Sequence, residues 1–260
     1  MRNDRLQLLR GMLAPLIGIF ALLLLWHLVC SLGHISPYVL PSPQKVGQTF
    51  LKMARSGEIA RDVLVSFRRV IRGFGIAFLL AFLLAVFRIA VPISERFTAA
   101  FIQFFRSVPP ISLIPLLILW CGIGEQTKTI IIILAAFFPM YLAIVKGFTS
   151  YDPKLLEMAR VFSCSPLRMF LRIILPSAVP DILLGMRTSL GYAWRAIIGA
   201  EMVAASTGLG HMILFAQQMS RTDKVIVGIL VIGIAGSLTD WILGCLIRRL
   251  VGRRAAHGWD

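Results

Sequence analysis

Acidic residues are scarce in this chain: 12 Asp and Glu stand against 27 Lys and Arg in 260 residues, a formal net charge of +15. Cysteine is scarcer still, and Cys30, Cys121, Cys164 and Cys245 lie far apart with neither CxxC nor metal-ligand spacing, which argues against a disulfide framework or zinc site. The histidines, His27, His34, His211 and His257, are scattered. No GxxxxGK[ST], HExxH or GxSxG occurs, so a phosphate-cradling loop, a zinc protease helix and a nucleophile elbow are excluded in those forms. Within the apolar stretches the acids are mainly Glu201 and Asp240, whereas a proton- or sodium-coupled carrier normally places several there. Whatever energy the protein uses, it must borrow.

Apolar residues are abundant. They make up 58% of the chain, against about 45–50% in a soluble domain, and the mean hydropathy is +0.83. These values predict an all-α membrane protein. Taking about 20 apolar residues per spanning helix, six candidate spans are expected at Met12–Leu32, Val63–Phe87, Phe97–Cys121, Thr129–Phe148, Ala178–Ala205 and Val225–Ile247. The basic start followed by Met12–Cys30 resembles a signal peptide, yet its apolar run exceeds the roughly 7–15 residues of such a segment and no A-x-A site follows. It reads as a retained first span.

The basic excess then reads as topology rather than nucleic-acid binding. With the N-terminus inside, the cytoplasm receives Arg2, Arg5 and Arg10, then Arg88 and Arg96, then Lys146, Lys154, Arg160, Arg168 and Arg172, and finally Arg248, Arg249, Arg253 and Arg254. The segment after the first span runs against this trend, carrying Lys45, Lys52, Arg55, Arg61, Arg68, Arg69 and Arg72 on the outer side. Within it Val46–Ala54 reads as a short amphipathic helix at the membrane interface. The expected organisation is an N-terminal span with its connection over 1–62, a transmembrane core over 63–250 and a cytoplasmic tail over 251–260.

The largest cytoplasmic loop has a pattern of its own. Asp152-Pro153 supplies a cap and first residue for a helix, on which Leu155, Leu156, Ala159 and Phe162 recur beside Lys154, Glu157 and Arg160. Ser165-Pro166 opens a second helical piece, expected to run to Leu175 and be limited by Pro176. A compact helix-turn-helix with one face free for a partner follows.

This stretch resembles the EAA loop of inner-membrane permeases of binding-protein-dependent ABC importers: EAA, three residues, Gly, nine residues, then I-x-L-P. Glu157-Met158-Ala159 stands for EAA, Arg160 follows, Ser163 occupies the Gly position, and Ile173, Leu175 and Pro176 complete the pattern in register. Met158 and Ser163 depart from it; a left-handed turn, easy for Gly, costs Ser energy. From Pro41 onward, "FRSVPPISLIPLLILWCGIGEQTK" and "GYAWRAIIGAEMVAASTGLG" are similar to the subgroup importing nitrate, sulfonates, taurine and bicarbonate. The resemblance implies a type I importer permease fold in the inner membrane, with a coupling helix that docks on a cytoplasmic ATPase. It further implies two ATPase subunits that carry ATP and Mg, a second permease copy and an outer solute-binding protein. This chain itself would bind no cofactor. A sulfonate or taurine is the first choice of solute, nitrate or bicarbonate the second, and ion-coupled carriage the third.

Residues that could line a solute path come from the spans. Arg187, Gly191, Trp194, Ile198 and Glu201 recur at alternating four- and three-residue steps and share one helical face. Trp194 and Glu201 lead this group, and Arg195 follows. Arg106 beside Pro109, where prolines free carbonyls near a cavity, is a further candidate. The Gly208-Leu209-Gly210 turn with His211 is expected to face outward, where a binding protein could touch it.

Overall fold

The computed structural model describes residues 17–18, 20–32, 36–91 and 93–251. Of the expected first span, Met12–Leu16 and Ile19 lie outside the described residues, as do Arg2, Arg5, Arg10, His34, Arg253, Arg254 and the side chain of Arg96. Among the described residues every regular element is helical. The helices are α1 (Phe20–Ser31), α2 (Pro43–Arg55), α3 (Glu58–Ala90), α4 (Ser94–Phe105), α5 (Ile114–Cys121), α6 (Glu125–Thr149), α7 (Pro153–Val161), α8 (Pro166–Met169), α9 (Leu175–Ala204), α10 (Leu209–Gln218) and α11 (Thr222–Val251).

Among the described residues four helical stretches are long and apolar enough to cross a membrane: Glu58–Ala90, Glu125–Thr149, Pro166–Ala204 and Thr222–Arg249. The third expected span is broken. Ala99–Phe105 and Pro110–Cys121 meet at 83°, because Val108-Pro109-Pro110 cannot continue a helix: proline lacks the N–H and disfavours helical backbone in the residue before it. Pro109 accordingly sits at φ −63°, ψ 124°, and a 3₁₀ turn, Pro110–Leu113, restarts the helix. Counting this bent pair as one span gives up to five among the described residues.

The chain forms two compact units, Met1–Arg61 with Met212–Val231, and Asp62–His211 with Ile232–Asp260. In the first unit, α2 is the expected amphipathic helix, its N-terminus capped by Ser42. Val46, Thr49 and Met53 are its buried stripe, and Thr49 donates a 2.7 Å hydrogen bond to Asp223.

In the second unit, α6 and α9 form the most extensive helix pair. Small residues let their backbones approach, which matters in lipid, where association rests on close packing rather than on escape from water. A Cβ on Gly147 would stand 3.0 Å from the Ala178 carbonyl. Tyr141, Ile144 and Phe148 of α6 then pack with Ala178 and Ile182 of α9 and with Ala81 and Ala85 of α3. Along α3 the buried residues Asp62, Ser66, Arg69, Gly73, Ala77, Ala81 and Ala85 make a stripe at helical spacing, polar at one end and small at the other.

Pro176 does not limit the second loop helix, contrary to the sequence expectation. Pro166–Ala204 runs as one helical stretch, with a π turn over Phe170–Ile174 immediately before Leu175. Proline is tolerated in the first turn of a helix, and the widened turn ahead of it relieves the clash with the preceding carbonyls. Ser177 Oγ donates to the Ile173 carbonyl at 2.7 Å.

Candidate functional site

The loop between α6 and α9 is built as a presented helix. Asp152 accepts from the Lys154 N–H at 2.9 Å and starts α7. Leu156 and Ala159 are buried and tie the helix down, while Glu157, Met158 and Arg160 are exposed. The most exposed apolar side chains here are Val161 and Phe162, at 81% and 75%. Ser163 adopts φ +52°, the left-handed conformation for which Gly is the favoured residue. The Cys164 N–H returns to the Ala159 carbonyl at 3.0 Å and closes the helix in the usual left-handed manner. Beyond this turn, Leu175 packs against the α3–α6–α9 core, Ile173 is half-buried and Pro176 is exposed. The exposed face of α7 is thus held on a buried frame.

A cavity of about 360 Å³ lies among the break after α4, the middle of α6 and α9. Arg106 and Arg195 both line it, with Tyr192, Phe138, Leu134 and Leu142 among the walls. Arg195 places its guanidinium carbon 5.5 Å from the Tyr192 ring centroid, a cation–π arrangement. Pro109 is exposed beside the cavity, which is lined by the neighbouring Pro110.

Trp194 and Glu201, the leading residues of the helical-face argument, do not reach this cavity. Trp194 is 5% exposed, and its indole Nε1–H has no acceptor among the described residues. Glu201 is fully buried. Its carboxylate accepts from Arg69 Nη1 at 2.7 Å, from Ser66 Oγ at 2.8 Å and from the Gly210 N–H at 3.0 Å. Arg69 also grips Glu125 with Nε at 2.9 Å and Nη2 at 2.6 Å, and donates to the Thr207 carbonyl at 2.7 Å. Lys128 reaches Glu125 at 2.6 Å. Two cations and two carboxylates therefore balance in a satisfied network that joins α3, α6 and α9. Sequence reasoning missed Arg69; the signal was its place with Asp62 and Ser66 on one helical stripe.

Arg187 makes a two-point ion pair with Asp240, 2.7 Å on each side. The glycine turn is equally committed. Gly208, Leu209 and Gly210 are buried, Gly208 adopts φ +110°, and the Leu209 N–H donates to Ser66 Oγ at 3.0 Å. A Cβ on Gly210 would stand 2.5 Å from the Ile198 carbonyl. Gly208, Leu209 and Gly210 thus cap the Glu201 network and offer a binding protein no exposed surface, contrary to the expectation, while His211 beside them is half-buried. Among the described residues no group of His, Cys, Asp or Glu is placed to hold a metal ion.

Comparison with known proteins agrees with this architecture. Residues 73–252 match the family model described as binding-protein-dependent transport system inner membrane component. A putative aliphatic sulfonates transport permease of Bacillus subtilis (strain 168) is 35% identical over 249 residues, spanning 96% of this chain and 89% of that protein. The taurine transport system permease of Escherichia coli (strain K12) is 34% identical over 248 residues, spanning 90% and 87%. Among solved structures, an amino acid ABC transporter superposes with a TM-score of 0.65 at 15% identity, covering 77% of this chain and 98% of the other, a likeness of fold.

Proposed function

The chain belongs to the family of binding-protein-dependent transport system inner membrane components, and from that premise we propose that it carries a small organic sulfonate inward by alternating access. It is a multi-pass, non-catalytic permease component of an ABC importer, and ATP hydrolysis belongs to a separate subunit. The observation that carries the mechanical part of the reading is α7, whose Glu157, Met158, Arg160 and Val161 are exposed while Leu156 and Ala159 are buried. A short rigid helix anchored in this way can transmit displacement from an ATPase groove to α6 and α9. Ser163, Ile173, Leu175 and Pro176 connect it to the span.

Two ATPase subunits, each with ATP and Mg, would sit on the cytoplasmic side, a second permease copy would complete the path, and a binding protein would deliver solute outside. The N-terminus would be cytoplasmic, which the basic residues of the α6–α9 loop and of the end of α11 favour. The sulfonate assignment rests on the sulfonate and taurine permeases among the relatives. Arg106 and Arg195, which share the mid-span cavity, are the pathway candidates that suit an anion. Glu201, Trp194 and Arg187 support the bundle instead.

The test is reconstitution in liposomes with the partner ATPase and the solute-binding protein. Sulfonate-dependent uptake that requires ATP and loaded binding protein is expected. ATP-independent uptake driven by a proton or sodium gradient would overturn the reading.

A further inference from the structure

Four cations on α3, α6 and α9 are matched by acids. Arg69, Lys128, Lys146 and Arg187 each meet a carboxylate at 2.6–2.9 Å. Arg106 and Arg195 line the cavity, and among the described residues neither has an ion-pair partner. Arg195 lies nine residues before the end of α9 at Ala204, about 14 Å along the helix axis, within a stretch long and apolar enough to span a membrane. An intramembrane cation without a counter-charge is costly unless water or a ligand compensates it.

The walls complete the chemistry. Among the described residues lining the cavity none is acidic, and Leu134, Phe138, Leu142 and Ile111 supply an apolar side. The volume, about 360 Å³, falls in the range of about 300–1,000 Å³ common for small-molecule sites. Pro139 has no N–H to give the Ala135 carbonyl, and both residues line the space. That carbonyl is a neutral dipole, which does not offset two guanidinium charges. A solute suited to this site carries net negative charge at one end, hydrogen-bonds through several oxygens and has an uncharged hydrocarbon remainder.

Resting on the importer reading above, we propose that the Arg106–Arg195 cavity is a selectivity site of the permease for a monoanionic alkyl sulfonate. It would discriminate against taurine, whose ammonium finds no carboxylate there, and against nitrate, which leaves the apolar wall unfilled. An anionic lipid headgroup with its acyl chain has the same chemistry and is separated by the experiment.

Full-length permease in phosphatidylcholine nanodiscs, with or without phosphatidylglycerol, is titrated calorimetrically with butanesulfonate, taurine and nitrate. Butanesulfonate is expected to bind at least about tenfold more tightly than either competitor in both lipid compositions, because taurine must bury an unpaired ammonium and nitrate leaves the apolar wall unfilled. Arg106→Gln and Arg195→Gln should each weaken it by a similar factor, with Arg195→Lys intermediate. Equal binding of taurine, or no binding of butanesulfonate to the wild type, overturns the proposal. Loss of butanesulfonate binding whenever phosphatidylglycerol is present assigns the cavity to lipid and also overturns it. If a variant does not assemble, the wild-type ligand series decides. ATP- and binding-protein-dependent uptake, measured in liposomes that hold the same purified permease with its partner ATPase, keeps the importer reading separate: it can persist while the selectivity site fails, and its absence counts against the importer reading whatever the nanodisc titration shows.

Discussion

Arg69 on α3 and Glu201 on α9 meet at 2.7 Å although 132 residues separate them in the chain. Glu201 is fully buried and Arg69 nearly so. A buried pair of this kind contributes modestly when intact but penalises the removal of either partner, because the other charge is left uncompensated.

Arg69→Met should therefore destabilise the protein by about 3–5 kcal/mol, and Arg69→Met with Glu201→Leu by less than the sum of the two single changes. Thermal unfolding in detergent across this double-mutant cycle is the measurement. Strict additivity would mean that the pair is not coupled.

Gly210→Ala should be poorly tolerated, since the added methyl meets the backbone carbonyl of Ile198 at 2.5 Å. Gly191→Ala, on the same helix as Glu201, has nothing within 4 Å of its added Cβ and should behave as wild type. Yield of monodisperse protein and its melting temperature compare the two.

Ser163 holds φ +52°, so Ser163→Gly should raise stability by up to about 1 kcal/mol, and Ser163→Val, whose branched side chain resists that backbone, should lower it by more. Melting temperatures read the stability change. ATPase co-purification shows whether the turn also sets the presentation of α7.

At the coupling helix, Phe162→Asp should disrupt ATPase association more than Glu157→Lys does. A large exposed aromatic side chain is the typical anchor of an interface, whereas an exposed charge acts mainly through steering. Both variants should fold, because neither side chain is buried. Pull-down with the ATPase gives the ranking, and the reverse order would place the anchor at Glu157.

Topology is open to a chemical test. On a background lacking the native cysteines, Val161→Cys should resist an impermeant thiol reagent in intact cells and react after lysis, while Ser206→Cys should react in both. Labelling of position 161 in intact cells would invert the assigned orientation.

Much of the protein was legible in its composition and spacing. Apolar runs marked the spans, though not the break in the third, and the cap-plus-proline at Asp152-Pro153 marked the start of α7; the left-handed position of Ser163 was signalled only by the resemblance, whose pattern has Gly there. These features are local, because capping, turn geometry and hydropathy depend on a few neighbouring residues. Pro176 misled because the π turn over Phe170–Ile174 ahead of it relieves the clash that a proline makes in a regular helix, so the helical stretch runs on.

What tertiary structure alone decided is which side of α9 faces what. Trp194 and Arg195 are adjacent in sequence, but successive residues point about 100° apart around a helix, so one is buried and the other lines the cavity. A helix that is apolar on most sides gives no periodic signal for which face meets protein, lipid or a cavity. The sequence by itself determined that charges lie within the spans and where the chain presents its loop helix. The partner of each charge was settled by packing: small residues on α6 and α9 bring those helices together, α3 lays its polar stripe against them, and Arg69 reaches Glu201 while Arg106 and Arg195 are left facing the cavity.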